Sequence, residues 1–286
     1  MKLKNLTLAV LAASLGVASV AAQAEVSVSG RVNVGVEKAD GGDATLRNYA
    51  SRVRVKASSE LDNGLTGYGN YEFGVGTDTD TDTFTTRIAQ VGLKGAFGDV
   101  SLGHGYQTYY NFGEGLADLG IWDTCIGCIG GSSRTGEALT YTGKMGVASV
   151  GATAYMGDSV DQHGDGFELG GSAELGNVTL SGAMRDTDAK AEPLYTVGAS
   201  TKMGPVKVAG TYSTQKNNAD GMNLHFGYGD AYLNWGQVKN DVTGVKADGV
   251  GVGYTYKMGG GTQLWFEAVD FDASGTTLRS GLRYDF

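Results

Sequence analysis

The segment Ser51-Arg-Val-Arg-Val-Lys56 sets a cation at every second position. Side chains alternate across an extended strand, so Arg52, Arg54 and Lys56 share one face and Val53, Val55 and Ala57 the other. Like charges this close repel unless water or carboxylates face them. Such a face suits contact with ions and polar solutes, not a dry core. Cys125-Ile-Gly-Cys128 is a second reactive pattern. A C-x-x-C can be a small disulfide, a redox pair or half a zinc site. The chain has 2 cysteines in all, and its 3 histidines, His104, His163 and His225, lie far off in sequence. An exported chain favours the disulfide, with a reduced pair or metal and redox chemistry as the alternatives. Asp78-Thr-Asp80-Thr-Asp82 spaces carboxylates like the start of a calcium loop. Thr83 and Ala89 stand where such a loop needs glycine and glutamate. It reads as an exposed acidic loop, with a loose divalent site bridging anionic lipid as the alternative. The histidines are too scattered for a triad and no nucleophile motif occurs, so no catalytic residue, metal or cofactor is expected.

The elements that position these residues follow from the rest of the chain. Lys2 and Lys4, the uncharged run Leu6–Val20 and the small-x-small triplet Ala22-Gln23-Ala24 describe an export signal. Residues 1–24 are expected to be a cleaved signal peptide, and 25–286 a single domain. Glycine is 48 of 286 residues and proline 2, while tyrosine at 15 exceeds phenylalanine at 9 and tryptophan at 3 together. That composition suits many strands, tight turns and a surface meeting two solvents. The net charge of −9 argues against nucleic acid as a partner. Beyond Ala24 no apolar run is long enough for a membrane helix.

Glu25–Val36 alternates, with Val26, Val28, Val32, Val34 and Val36 on one parity and Ser27, Ser29, Arg31 and Asn33 on the other. A hydrophobic-Gly-x turn then recurs, as Phe97-Gly-Asp99, Met145-Gly-Val147, Leu175-Gly-Asn177, Met203-Gly-Pro205, Tyr228-Gly-Asp230 and Met258-Gly-Gly260. Longer acidic loops fall between these turns. Short turns at one end and longer loops at the other predict an antiparallel transmembrane β-barrel, all-β, of sixteen strands or fourteen. Parity slips near Thr86–Leu93, which predicts a bulge. Tyr109–Ser133 does not alternate, and a loop of that length inside a compact chain is a functional candidate.

Leu65-Thr-Gly-Tyr-Gly-Asn-Tyr-Glu-Phe73 resembles the third strand of the enteric trimeric porins, within the general porins of Gram-negative bacteria. Arg87-Ile-Ala-Gln-Val-Gly-Leu-Lys94, with Phe97-Gly98-Asp99 and Leu102-Gly103, is similar to the next two strands. Tyr284 and Phe286 are similar to the terminal assembly signal of such barrels. The resemblance covers essentially the whole mature chain. It implies a sixteen-stranded outer-membrane barrel, a homotrimer, with the third long loop, residues 109–133, folded inward as a constriction. Carried over by position, it implies Arg31, Arg52, Arg87 and Arg134 as the basic side of that constriction. Glu72 matches a wall carboxylate, and Glu114, Asp118 and Asp123 are the acidic loop candidates. The loop departs from the enteric pattern in lacking the Pro-Glu-Phe-Gly-Gly stretch, which leaves open which acid faces the pore.

The function expected is a porin for passive diffusion of small hydrophilic solutes and ions across the outer membrane, in contact with its lipids. The alternative is a closed barrel serving as adhesin, receptor or structural anchor, which ion conductance discriminates. A barrel hydrolase is the other rival, and hydrolysis of a chromogenic ester discriminates it.

Overall fold

The computed structural model describes residues 24–61, 63–78, 84–122, 124–156, 165–188 and 190–286. The expected leader up to residue 23, together with Asp62, Asp80, Asp82, Asp123 and His163, lies outside them. The chain forms strands β1 (Glu25–Ala39), β2 (Thr45–Asn48), β3 (Arg52–Glu60), β4 (Thr66–Val75), β5 (Phe84–Gly95) and β6 (Gly98–Tyr106). A non-strand segment follows, holding helix α1 (Thr108–Phe112) and a 3₁₀ turn (Glu114–Leu116). It starts at Gln107, two residues before the expected boundary. The barrel resumes with β7 (Arg134–Met145), β8 (Ala148–Tyr155), β9 (Gly166–Leu175), β10 (Val178–Thr187), β11 (Leu194–Met203) and β12 (Val206–Gln215). It ends with β13 (Ala219–Tyr228), β14 (Ala231–Asn240), β15 (Lys246–Gly259), β16 (Thr262–Phe271) and β17 (Gly275–Asp285).

Each strand pairs antiparallel with its neighbours, and β1 closes the ring on β17 from Arg31↔Asp285 to Ala39↔Thr277. Both β2 and β3 pair with β1, on different stretches of it. They are two halves of one crossing, so the closed barrel has sixteen strands. Closure leaves no unpaired edge, which a lipid environment requires.

The parity is inverted relative to a soluble barrel. On β13, Met222, Leu224, Phe226 and Tyr228 are exposed on the outer face, while Asn223 and His225 are buried inside. β1 repeats this, with Val26, Val28, Val32 and Val36 exposed and Asn33 buried. Apolar side chains outward and polar ones inward is the pattern of a barrel with lipid around it and water within.

The expected bulge is present. Glu72 pairs with Ile88 and Phe73 with Thr86, so Arg87 is the extra residue of β5. A bulge re-aims a side chain. Without it Arg87 would follow Ala89 and Val91 outward; with it the guanidinium reaches inward. Between β2 and β3 the chain turns at Ala50, whose φ is 57°. Asn33 closes this break: its amide donates to the Tyr49 carbonyl at 2.9 Å, and its backbone N–H to Ser51 Oγ at 2.9 Å. The break swings Tyr49 into the lumen.

Candidate functional site

The arginines converge on one carboxylate. Glu72 on β4 stands across from Arg54 in register and beside the β5 bulge. It accepts from Arg52 Nη1 at 3.2 Å and Arg87 Nε at 2.7 Å, and Arg54 Nη2 contacts its other oxygen. Its side chain is 1% exposed, against 17–28% for the three arginines. On the adjoining strands Arg31, opposite Arg52 in register, meets Asp285 at 3.3 Å, and Arg283 meets the same carboxylate at 2.8 Å. A cavity of about 270 Å³ lies against Arg31, Arg52, Arg54, Glu72, Asp285 and Phe286. Cations outnumber acids in this cluster, so its open side presents positive charge to the lumen.

The segment 107–133 packs on the polar face of the opposite strands. Arg185 on β10 ties both ends of it down. Its guanidinium pairs with Glu168 at 2.6 Å, donates to the Gly130 carbonyl at 2.5 Å and to the Gln107 side chain, and lies 4.6 Å over the Tyr109 ring. Glu168 in turn accepts from the Tyr109 backbone N–H at 2.8 Å. Tyr109 is the centre of a small buried cluster with Ala183 and Leu194, flanked by Phe112 and Ile129.

Farther along, the wall supplies glycines where the segment touches it. Ile126 and Gly127 rest on Gly221, Gly236 and Gly249 of β13–β15, so closely that a Cβ on any of the three would collide. Gly127 N–H donates to Asn223 Oδ1 at 2.6 Å. The tip is held by β14 and β16: Ile121 N–H donates to the Tyr232 hydroxyl at 3.1 Å, and Trp122 N–H to Glu267 at 3.1 Å. Arg279 of β17 bridges Glu267 at 3.0 Å and Glu37 at 2.8 Å. The Trp122 ring meets Tyr49 edge-on at 5.2 Å, and Tyr49 meets Trp265 at 4.7 Å.

The expected acids divide by role. Glu114 is 3% exposed and faces its own segment, accepting from Ile129 N–H at 2.8 Å and Gly130 N–H at 3.0 Å. Of the three candidate loop acids it is the one that closes the segment on itself. Burial pushes its carboxyl above the ordinary range, against the pull of those N–H groups and of Arg185. Asp118 is half-buried and accepts from the Tyr110 hydroxyl at 2.7 Å and from Thr124. Burial and that carboxylate raise the Tyr110 phenol. Arg134 stands apart from the Glu72 cluster: it donates to the Tyr106 hydroxyl at 3.1 Å and lies over that ring, which stacks on Tyr110.

The sulfurs of Cys125 and Cys128 are joined. Glu114 lies close to both, but joined sulfurs offer no thiolate to a metal. The rings of Tyr284 and Phe286 stack 6.3 Å apart, both exposed on the outer face. The sequence reading did not single out Arg283, Asp285, Arg185, Glu168, Glu267 or Arg279 for roles in the site. Inward parity on their strands was the one available signal.

A family model described as Gram-negative porin matches residues 7–276. Outer membrane porin F of Xenorhabdus nematophila is 25% identical over 221 residues, 62% of this chain, and the match spans 57% of that protein's length. Among solved structures, the trimer form of Vibrio cholerae OmpT superposes with a TM-score of 0.73 at 18% identity, covering 92% of this chain and 99% of that one. Salmonella typhi OmpF in complex with daunomycin gives 0.75 at 16% identity, covering 91% and 97%.

Proposed function

This chain belongs to the Gram-negative porin family and is an outer-membrane protein, and from that premise we propose that it is an open, water-filled channel through which small hydrophilic solutes and ions diffuse passively. One observation carries the reading. The wall of β1–β5 presents Arg31, Arg52, Arg54 and Arg87 to the lumen, while segment 107–133 is fastened to β8–β16 on the other side. The passage left between them is the constriction. Charge on one side of a narrow, wet opening orders water, admits polar solutes and excludes apolar ones.

Within this reading Glu72 holds the arginines parallel against their mutual repulsion. Asp118 and Asp123 are the loop acids left to oppose them, and Glu114, Arg185 and Glu168 position the segment. The barrel spans the lipid as a homotrimer, as the solved OmpT does in its trimer form. It carries out no catalysis. Residues 1–24 are removed on export, residues 25–286 form the barrel, Tyr284 and Phe286 serve its assembly, and the Cys125–Cys128 bridge stiffens the turn that meets the wall.

The test is single-channel recording of the folded protein in a planar bilayer. Stepwise openings in groups of three are expected. Bilayers that stay sealed, with the protein shown to be folded and inserted, overturn the reading.

A further inference from the structure

Between segment 107–133 and the short turns, a cavity of about 660 Å³ opens against the lumenal face of β5–β10. Its floor is a row of hydroxyls. Ser149 of β8, Ser172 of β9 and Ser181 of β10 stand opposite one another in register, one strand apart. Neighbouring strands lie about 4.8 Å from each other, so the row repeats at a spacing comparable with alternate hydroxyls around a pyranose ring. Ser181 Oγ has no hydrogen-bond partner among the described residues. The roof is apolar. Phe112 lies over Gly151 and Gly170, so closely that a Cβ on either glycine would collide, and Leu116 reaches Gly198. Both side chains are only partly buried, and both line the cavity. Toward the turns Lys94 is paired with Asp99 at 3.3 Å and Lys144 with Glu174 at 3.6 Å. Charge at the cavity thus comes in balanced pairs, with no net sign.

We propose that this cavity is a binding station for an uncharged mono- or disaccharide on its way through the pore. The inference rests on the open-channel reading above. A sugar ring is amphipathic: hydroxyls radiate from its edge, and its C–H faces are apolar. The serine row donates and accepts along that edge, while Phe112 and Leu116 shield one C–H face from water. Lys94 and Lys144 donate and Asp99 accepts, and charged partners strengthen a hydrogen bond to a neutral hydroxyl. The balance of these pairs gives a charged solute no advantage, in contrast to the arginine wall, where cations outnumber acids. Hydroxyls alone would not hold a sugar, because water competes for each of them. The apolar roof supplies the difference, and an apolar surface with a few converging polar groups is the general form of a small-molecule site.

The experiment is recording of the folded full-length protein in a planar bilayer in about 1 M KCl, where wall charges are screened within about 3 Å. Maltose is added to both chambers, and a polyethylene glycol of similar mass controls for the fall in bulk conductivity. Maltose should lower the conductance along a saturating curve, whereas the polymer lowers it in proportion to its concentration. S149A/S172A/S181A should raise the half-saturating maltose concentration about tenfold, and S172A alone about threefold, as hydrogen bonds to the sugar are lost. Conductance in KCl alone reports that each variant barrel is folded and open. A proportional fall with maltose overturns the station while leaving the channel intact, as does saturation that neither variant moves. Tighter saturation by glucuronate or glucosamine overturns the uncharged class. An absence of any conductance from the unaltered protein overturns both readings.

Discussion

At the residue scale the central feature is one carboxylate under several guanidinium groups. Glu72→Gln keeps the shape and removes the charge that offsets Arg52, Arg54 and Arg87. The expected result is a reversal potential displaced toward anions in a salt gradient, with a loss of about 1–3 kcal/mol in denaturant unfolding from a cluster left unbalanced. Glu114 gives a pH effect of definite sign. Its folded carboxyl titrates above its unfolded value, because burial opposes the charge. The penalty is absent below the unfolded value and grows as pH rises through the folded one, so the segment is held more firmly in acid. The protection of the Ile129 and Gly130 amides, taken relative to their intrinsic base-catalysed exchange, should therefore fall as pH rises from the carboxylate range toward neutrality, and Glu114→Gln should flatten that fall. Strand parity marks Arg31 and Arg52 in the sequence, whereas Glu72 and Arg87 are named only through the resemblance of the segments that hold them. Arg185 and Arg279 were not, since their roles come from contacts with a distant segment that no local pattern encodes.

At the element scale, the β5 bulge and the seat of segment 107–133 set the opening. Deleting Arg87 would restore the unbroken alternation of β5 and remove one cation from the wall. The expected outcome is a heat-resistant, folded barrel whose selectivity moves toward cations, read from reversal potentials. Gly236→Val tests the seat. Its side chain has no room beside Ile126 and Gly127, so the turn must lift off the wall. Conductance should change with the barrel still formed, and Trp122 emission should shift as its contact with Tyr49 loosens. The slip in parity near Thr86 announced the bulge because a period-two pattern exposes any extra residue. The break at Ala50 left no such mark. The sequence reads Lys38–Arg47 as a loop and Arg52 onward as strand, so the short strand Thr45–Asn48 goes unannounced, and only Asn33, a neighbour across the sheet, shows why the chain turns before Arg52.

At the scale of the whole molecule, closure joins the earliest strand to the last. Neighbouring strands pair locally through short turns, whereas the β1–β17 seam brings together residues a full chain apart, a pairing whose loop entropy is paid late. Gly281 lies at this seam, against the Trp265 ring and the Val34 carbonyl. Gly281→Val overpacks it and should lower stability by about 1–3 kcal/mol, seen as an earlier unfolding midpoint. Gly210 of β12, away from the seam, offers a comparison where the same change should cost less. The sequence conveyed the barrel through inverted alternation repeated at hairpin spacing. It did not convey which strands would carry the inner segment, because glycine in a strand looks alike whether it borders water or another stretch of backbone.

The glycines beneath Ile126 and Gly127 have a bearing on how such barrels diversify. A wall that bears the imprint of one particular segment is not a neutral frame for others. Transplanting a foreign constriction loop into this barrel, or this loop into another, would set side chains where the host offers none of the required hollows. Loop and wall must be exchanged as a matched pair, so pore diameter here is a trait inherited jointly by two stretches of chain roughly a hundred residues apart.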